Sequence, residues 1–254
     1  MRVLRCADSG VLVELAGLDE ALAMQAALAE DPPVGVTDIV PAARTVLLRL
    51  HPEHGDADAV AAAVRRIRPR PGQRALAGEL EVPVQYDGAD LADIAAHTGL
   101  SECEVVAAHT GAAWTVAFCG FAPGFGYLVG DDPRLRVPRR SEARTRIPAG
   151  AVALAAEFTG IYPRVSPGGW QLLGSTELVT WDLERDPPAL LRPGVRVRFT
   201  EEPPRSRRRS GSAAAAGGGD TAGNDCAAFE GARRRDAQRA DMRSRGEDRA
   251  DGGS

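Results

Sequence analysis

From Trp114 to Phe199 the apolar runs are short, and glycine or proline closes almost every one of them. Proline removes a backbone donor and glycine weakens a helix interior, so this punctuation leaves little room for long helices. Short strands are what such spacing supports. The runs Trp114–Phe118, Val152–Ala156, Gln171–Leu173, Leu178–Trp181 and Val195–Phe199 are predicted as strands of a compact antiparallel barrel or sandwich.

Upstream the patterning changes. Val11–Leu15, Val34–Val40 and Thr45–Leu50 read as strands, and Asp19 to Ala29 as a helix with Leu22 and Leu28 on its apolar side. Asp56–Ile67 opens with acids and closes with arginines, as the helix dipole favours. Strands mixed with two helices predict a small α+β domain over 1–78, ending in the Pro/Gly-rich connector Pro69–Gly78. A mainly-β domain over 79–200 then begins with a strand at Glu81–Gln85. Asp90 is placed to cap a helix reaching His97, with Gly99 ending it, and Ser101 and Glu104 fit a capping box for a second helix. Residues 201–254 hold eleven arginines and ten acids with a single aromatic, Phe229. Burial there cannot offset the entropy of ordering, so this tail is expected to be disordered.

Composition removes several chemistries. The chain has no lysine, so its side chains can form neither a Walker A phosphate loop nor a Schiff base. A net charge of −4 gives no reason to expect nucleic-acid binding. No apolar stretch approaches the roughly 20 residues of a membrane span, and the opening MRVLRCADSG lacks a signal-peptide core, so the cytoplasm is the expected compartment. Cys6, Cys103, Cys119 and Cys226 form no CxxC pair and read as buried or inert thiols. His51 and His54 lie in a loop with no further ligand nearby, so no metal site is expected.

Three segments carry candidate chemistry. In Gly120-Phe121-Ala122-Pro123-Gly124-Phe125-Gly126-Tyr127, glycines allow close backbone approach while Phe121, Phe125 and Tyr127 either wall a flat ligand or pack a hairpin into the core. Pro138 to Gly150 holds Arg139, Arg140, Arg144 and Arg146 between prolines. Guanidinium groups grip carboxylate or phosphate in bidentate fashion, so this is an anion clamp or a loop paired to surface acids. Tyr162 to Thr176 offers Tyr162, Ser166, Gly168, Gly169, Trp170, Gln171 and Thr176 as a wall closing a pocket, or as a barrel corner. His109, just before the aromatic loop, is a candidate for proton transfer or hydrogen bonding.

Taken together, GFAPGFGYL, PRRSEARTRIPAG and GIYPRVSPGGWQLLGST resemble the allophanate hydrolase subunit 1 family over roughly residues 3–200. That family takes in the B-type subunit of 5-oxoprolinase, a sporulation kinase inhibitor, and the carboxyltransferase region (subdomains C and D) of urea carboxylase. The resemblance implies an α+β domain followed by a cyclophilin-like β-barrel. It also implies membership of an ATP-dependent complex that opens 5-oxo-L-proline to L-glutamate, with a subunit-2 or C-type protein and a lactam-utilisation-type subunit as partners. Regulation of a sensor histidine kinase, or a role in allophanate or urea chemistry, are the alternatives it leaves. His109, Arg139 and Arg144 are the implied catalytic residues. Phe121, Pro123, Gly124, Phe125, Tyr127, Tyr162, Ser166, Gly168, Gly169, Trp170, Gln171 and Thr176 are the implied binding residues. Ala143, Ala151 and Ser175 depart from the pattern, where proline, serine and arginine are expected.

Overall fold

In β2 (Gly10–Glu14) and β4 (Thr45–Leu50) every second side chain is apolar and buried: Val11 and Val13 on one strand, Val46, Leu48 and Leu50 on the other. Period-two burial gives the sheet one core face, and the helices α1 (Leu18–Glu30) and α2 (Ala57–Arg66) cover it. With β1 (Arg2–Arg5) and β3 (Val36–Pro41) the sheet runs β1-β2-β4-β3, antiparallel throughout. Asp56 caps α2 by accepting from Asp58 N at 2.9 Å and Ala59 N at 3.1 Å, while Arg65 and Arg66 occupy its last turn. This computed structural model describes residues 1–70 and 77–203. Most of the connector and the tail expected to be disordered lie outside the described residues.

The second sheet has seven strands: β5 (Glu79–Val84), β6 (Trp114–Cys119), β7 (Gly126–Val129), β9 (Ala151–Ala155), β10 (Phe158–Ile161), β12 (Gln171–Ser175) and β13 (Arg196–Glu201). Their order is β12-β9-β10-β7-β6-β13-β5. Reciprocal bonds between Gln85 and Ser175, both 2.8 Å, then join the end of β5 back to β12, so the sheet nearly closes into a barrel. The barrel is mixed, which corrects the antiparallel expectation: β13 runs parallel to β5 from Arg196↔Glu79 to Glu201↔Val84. A parallel neighbour is available because β5 and β13 are remote in sequence, so no tight hairpin constrains them.

β9 is buried on both faces. Val152 and Leu154 join one core with Val84, Val116, Leu128, Leu173 and Phe199; Ala151, Ala153 and Ala155 join the other. Alanine on that second face leaves room for rings, and Phe118, Phe125, Phe158, Tyr162 and Trp170 fill it. Two helices, α3 (Leu91–Thr98) and α4 (Glu102–Gly111), cover the first core with Ile94, Val105 and Ala108. Gly99 ends α3 at φ +71°, and the Ser101–Glu104 capping box is formed. β8 (Arg144–Ile147) and β11 (Ser166–Gly168) form a separate two-stranded ribbon.

Segment 178–181 is not a strand; only Trp181 bridges, to Ala189. Among the described residues no helix is long and apolar enough to cross a membrane. Cys6 and Cys119 are exposed, so of the two readings, buried or inert, burial does not hold for these thiols.

Candidate functional site

The turn between β6 and β7 closes with Ala122 N donating to Gly120 O (2.7 Å) and Phe125 N to Ala122 O (3.0 Å). It forces two residues to positive φ. Gly124 takes +81° without cost, and a Cβ there would stand 2.6 Å from Trp181 Cβ. Phe121 takes +65°, which an L-residue adopts at a cost of about 1–2 kcal/mol. Its ring remains 56 % exposed, edge-on to Phe125 at 5.3 Å and to Tyr162 at 6.0 Å. Phe125, buried beneath it, meets Tyr127 (5.1 Å), Tyr162 (5.4 Å) and Trp170 (5.4 Å), all edge-to-face, the arrangement that ring quadrupoles favour. Gly168 permits this packing: a Cβ there would stand 2.4 Å from the Tyr162 hydroxyl.

Arg139 reaches the same cluster. Its guanidinium carbon lies 5.9 Å from the Trp170 ring centroid, within cation–π range, and among the described residues it has no acidic partner. Burial pushes the Tyr127 and Tyr162 phenols upward, and the positive charge of Arg139 partly offsets that in both, so all three polar groups share one neighbourhood.

The other arginines of this loop behave differently. Asp90, 1 % exposed, accepts from Arg140 Nη1 (2.6 Å), Arg144 Nη1 (2.7 Å), Arg144 Nη2 (2.8 Å) and Leu172 N (2.7 Å). Burial alone would raise its carboxyl. The Arg144 and Leu172 hydrogen bonds and the two positive charges outweigh burial and hold the group below the ordinary carboxylate range. Arg140 N also donates to Gly169 O (2.8 Å), and Gln171 Nε2 to Pro138 O (3.3 Å), so the loop is fastened to the segment bearing Trp170. Asp90 makes no side-chain cap on α3. It is the residue that sequence reasoning missed as a site element, having been assigned to the helix end. Nothing local in the chain marks its partners, which lie 50 and 54 positions away.

The nominated residues therefore divide. Phe121, Phe125, Tyr127, Arg139, Tyr162, Gly168 and Trp170 come together, with Pro123, Gly124 and Gly169 shaping the adjoining turns. Arg144 is committed to Asp90 rather than open to a ligand. Ser166 Oγ donates to Arg164 O, Thr176 Oγ1 accepts from Leu178 N, and Gln171 latches the arginine loop; all three serve the backbone.

His109 does not reach the cluster. It is fully buried in the first core beside Trp114 and Phe199. Thr159 Oγ1 donates to Ala153 O, so it accepts from His109 Nε2–H at 3.0 Å, leaving Nδ1 to accept from the Tyr86 hydroxyl at 2.9 Å. Burial lowers the His109 pKa to about 3, and the imidazole is neutral with both nitrogens occupied. That is a structural histidine, not a proton carrier at the pocket's edge.

Two cavities of about 730 Å³ each lie elsewhere. One is lined by Gly17, Asp19, Glu20, Asp131, Asp132 and Arg136, the other by Glu79, Glu81, Thr115, Arg196 and Arg198, and none of the nominated residues lines either. Among the described residues no group of three or more His, Cys, Asp or Glu side chains is placed to hold a metal ion.

Comparison with known proteins assigns the frame on which this site is built. Residues 1–191 match the model of the carboxyltransferase domain, subdomain C and D. The chain belongs to this family. It is 50% identical to the B-type subunit of 5-oxoprolinase from Escherichia coli O157:H7 over 126 residues, 48% of this chain and 58% of that protein. It is 45% identical to the B-type subunit of 5-oxoprolinase from Bacillus subtilis strain 168 over 123 residues, 47% of this chain and 51% of that protein. These alignments thus span little more than half of those relatives. Among solved structures, the carboxyltransferase-family fold matches the protein TTHA0988 with a TM-score of 0.64 and 38% identity, covering 77% of this chain and 40% of that one. It also matches the Kluyveromyces lactis urea amidolyase with a TM-score of 0.61 and 21% identity, covering 79% of this chain and 15% of that one, a likeness of fold.

Proposed function

We propose that this chain is the B-type subunit of an ATP-dependent 5-oxoprolinase complex that opens 5-oxo-L-proline to L-glutamate. What carries the reading is the identity of 45–50% to B-type subunits of 5-oxoprolinase from two bacteria. The geometry is in keeping with it through the exposed Arg139 guanidinium at the edge of an aromatic cluster, a charge that the carboxylate of a small cyclic acid can pair with.

The lactam amide is a poor electrophile. Transfer of the ATP γ-phosphoryl to the lactam oxygen activates the carbonyl carbon and turns that oxygen into a good leaving group. Water then adds at the carbon, and the C–N bond breaks as the ring nitrogen takes up protons to become the amine of glutamate. A second water hydrolyses the remaining acyl phosphate to the carboxylate and inorganic phosphate. Developing phosphoryl charge calls for preorganised donors, and these are assigned to the complex as a whole, with a C-type subunit and a lactam-utilisation-type subunit as partners and the cytoplasm as its place. In this chain Arg139 binds and orients, while Tyr127, Tyr162, Phe121 and Trp170 shape the wall and exclude water.

The test is ATP-dependent glutamate release from 5-oxo-L-proline by the co-purified subunits, with each omitted in turn. Loss of glutamate release when this chain is left out is the expected result. Full turnover without it would remove the chain from the enzyme.

A further inference from the structure

Between β12 and β13 the chain makes a two-limbed arm over residues 178–190. Leu190 N donates to Thr180 O (3.0 Å) and Asp182 N to Pro188 O (3.0 Å), with Trp181 bridging Ala189 between them. Side chains on the first limb alternate, and the alternation is inverted. Thr180 is buried, whereas Val179, Trp181 and Leu183 stand 58 %, 37 % and 79 % exposed. Nowhere else among the described residues do three large apolar side chains lie exposed within five positions. Single exposed apolar residues are ordinary, but a contiguous strip of them marks a surface that another molecule covers.

The strip is held in place. Gly124 seats it, since a Cβ there would stand 2.6 Å from Trp181 Cβ and 3.3 Å from Thr180 Oγ1. Arg185 Nη2 donates to Val179 O (3.2 Å) and faces Asp182 Oδ2 at 3.8 Å, so this cation is committed within the arm. Asp182 also accepts from Glu184 N at 3.0 Å. Glu184 and Asp186, both exposed and both just past Leu183, have no ion-pair partner among the described residues. An apolar strip ending in two open acids fits a partner whose apolar hollow is edged by arginine or lysine. A second copy of the arm fits badly, because a two-fold axis through the strip would bring these acids against their own counterparts.

We infer that the strip Val179–Trp181–Leu183 is a docking surface for another protein subunit, one that presents an apolar hollow edged by basic side chains. The inference rests on the 5-oxoprolinase reading only for which protein that is, a C-type or lactam-utilisation-type subunit of the same complex.

Trp181 itself reports on the contact, since Trp114 and Trp170, the other two tryptophans of the sequence, are buried. In the full chain labelled with fluorotryptophan, a soluble paramagnetic agent should broaden the fluorine resonance of Trp181 alone. Adding the unlabelled partner subunits should protect that resonance about fivefold or more. Trp181→Ser and Leu183→Ser should each weaken capture of the partner by about tenfold or more, while Val34→Ser, at an exposed apolar residue of the first domain, should leave it unchanged. Leu183 is the more exposed of the two, so its variant decides the matter if Trp181→Ser does not fold. Glu184→Gln combined with Asp186→Asn should weaken capture and flatten its decline with salt. A salt dependence left intact by that pair would overturn the basic edge. Full capture by both apolar variants, a Trp181 resonance still open to the agent in the assembled complex, or capture of neither subunit would each overturn the surface. So would sedimentation showing that the isolated chain dimerises and that Leu183→Ser makes it a monomer, which assigns the strip to a second copy. Glutamate release decides the 5-oxoprolinase reading separately. Capture without release leaves the surface standing and sinks that reading, and release with Trp181 still open does the reverse.

Discussion

Arg139 and Arg144 share one loop and one kind of side chain, yet the fold gives them opposite roles. Arg144 lies against Asp90 with two hydrogen bonds of 2.7 and 2.8 Å and helps hold three chain segments together. Arg139 rests on a tryptophan ring with its charge open. A concentrated run of arginines is thus not a measure of anion-binding capacity. What counts is how many of the charges are met inside the protein, and here one buried aspartate meets two.

The largest effect should come from removing that aspartate. Asp90→Ala leaves Arg140 and Arg144 uncompensated and Leu172 N without its acceptor. Loss of one partner from a buried ion pair costs about 3–5 kcal/mol, and the partial exposure of both arginines places the expectation near the lower end, about 3 kcal/mol. Urea unfolding measures it, and a change below about 1 kcal/mol would show that the node does not organise the loop.

The pH dependence sharpens the contrast between the buried and the open face. His109 has a folded pKa near 3 against an ordinary 6.5, so the unfolded chain takes up its proton first. Stability should therefore be complete above pH 6.5 and decline as pH falls toward about 3, with Asp90 adding a further loss only as its depressed carboxyl becomes protonated. A urea midpoint that stays flat between neutral pH and pH 4 would contradict the burial of a neutral His109.

Gly168→Ala comes next. Its methyl would collide with the Tyr162 hydroxyl, at an expected cost of about 1–3 kcal/mol. Pairing it with Tyr162→Phe removes the hydroxyl, and the double variant should recover at least half of the loss in thermal unfolding. Additive costs would show that the collision is relieved some other way. The smallest stability effect belongs to Arg139→Gln, within about 0.5 kcal/mol, because an exposed side chain without an ion-pair partner among the described residues supports little. Activity of the complex should still fall tenfold or more, equivalent to about 1.4 kcal/mol in the barrier. Stability and activity losses of equal size in this variant would erase the distinction between the two arginines.

Much of the fold was legible because its signals are local. The alternation in Gly10–Glu14, the capping box at Ser101 and Glu104, and Gly99 with its positive φ all depend on neighbours within a few residues. The strands at Gly126–Val129 and Phe158–Ile161 were missed because four residues leave too little pattern to read. The segment 178–181 misled because an apolar run reads the same way whether or not a neighbouring strand is there to pair with it. In the site, the aromatic and arginine segments were recognisable as special, but not the division of labour within them.

By itself the sequence determined the punctuation into short strands, the caps, the absence of lysine chemistry and the set of rings and arginines from which a site can be built. The tertiary structure alone decided which arginines are met by Asp90, which ring faces outward and that His109 is walled in. Those outcomes depend on closing the sheet from β5 to β12, which carries Asp90 to partners fifty or more positions along the chain. Pairing over such distances is set by how the layers pack, and no local pattern encodes it.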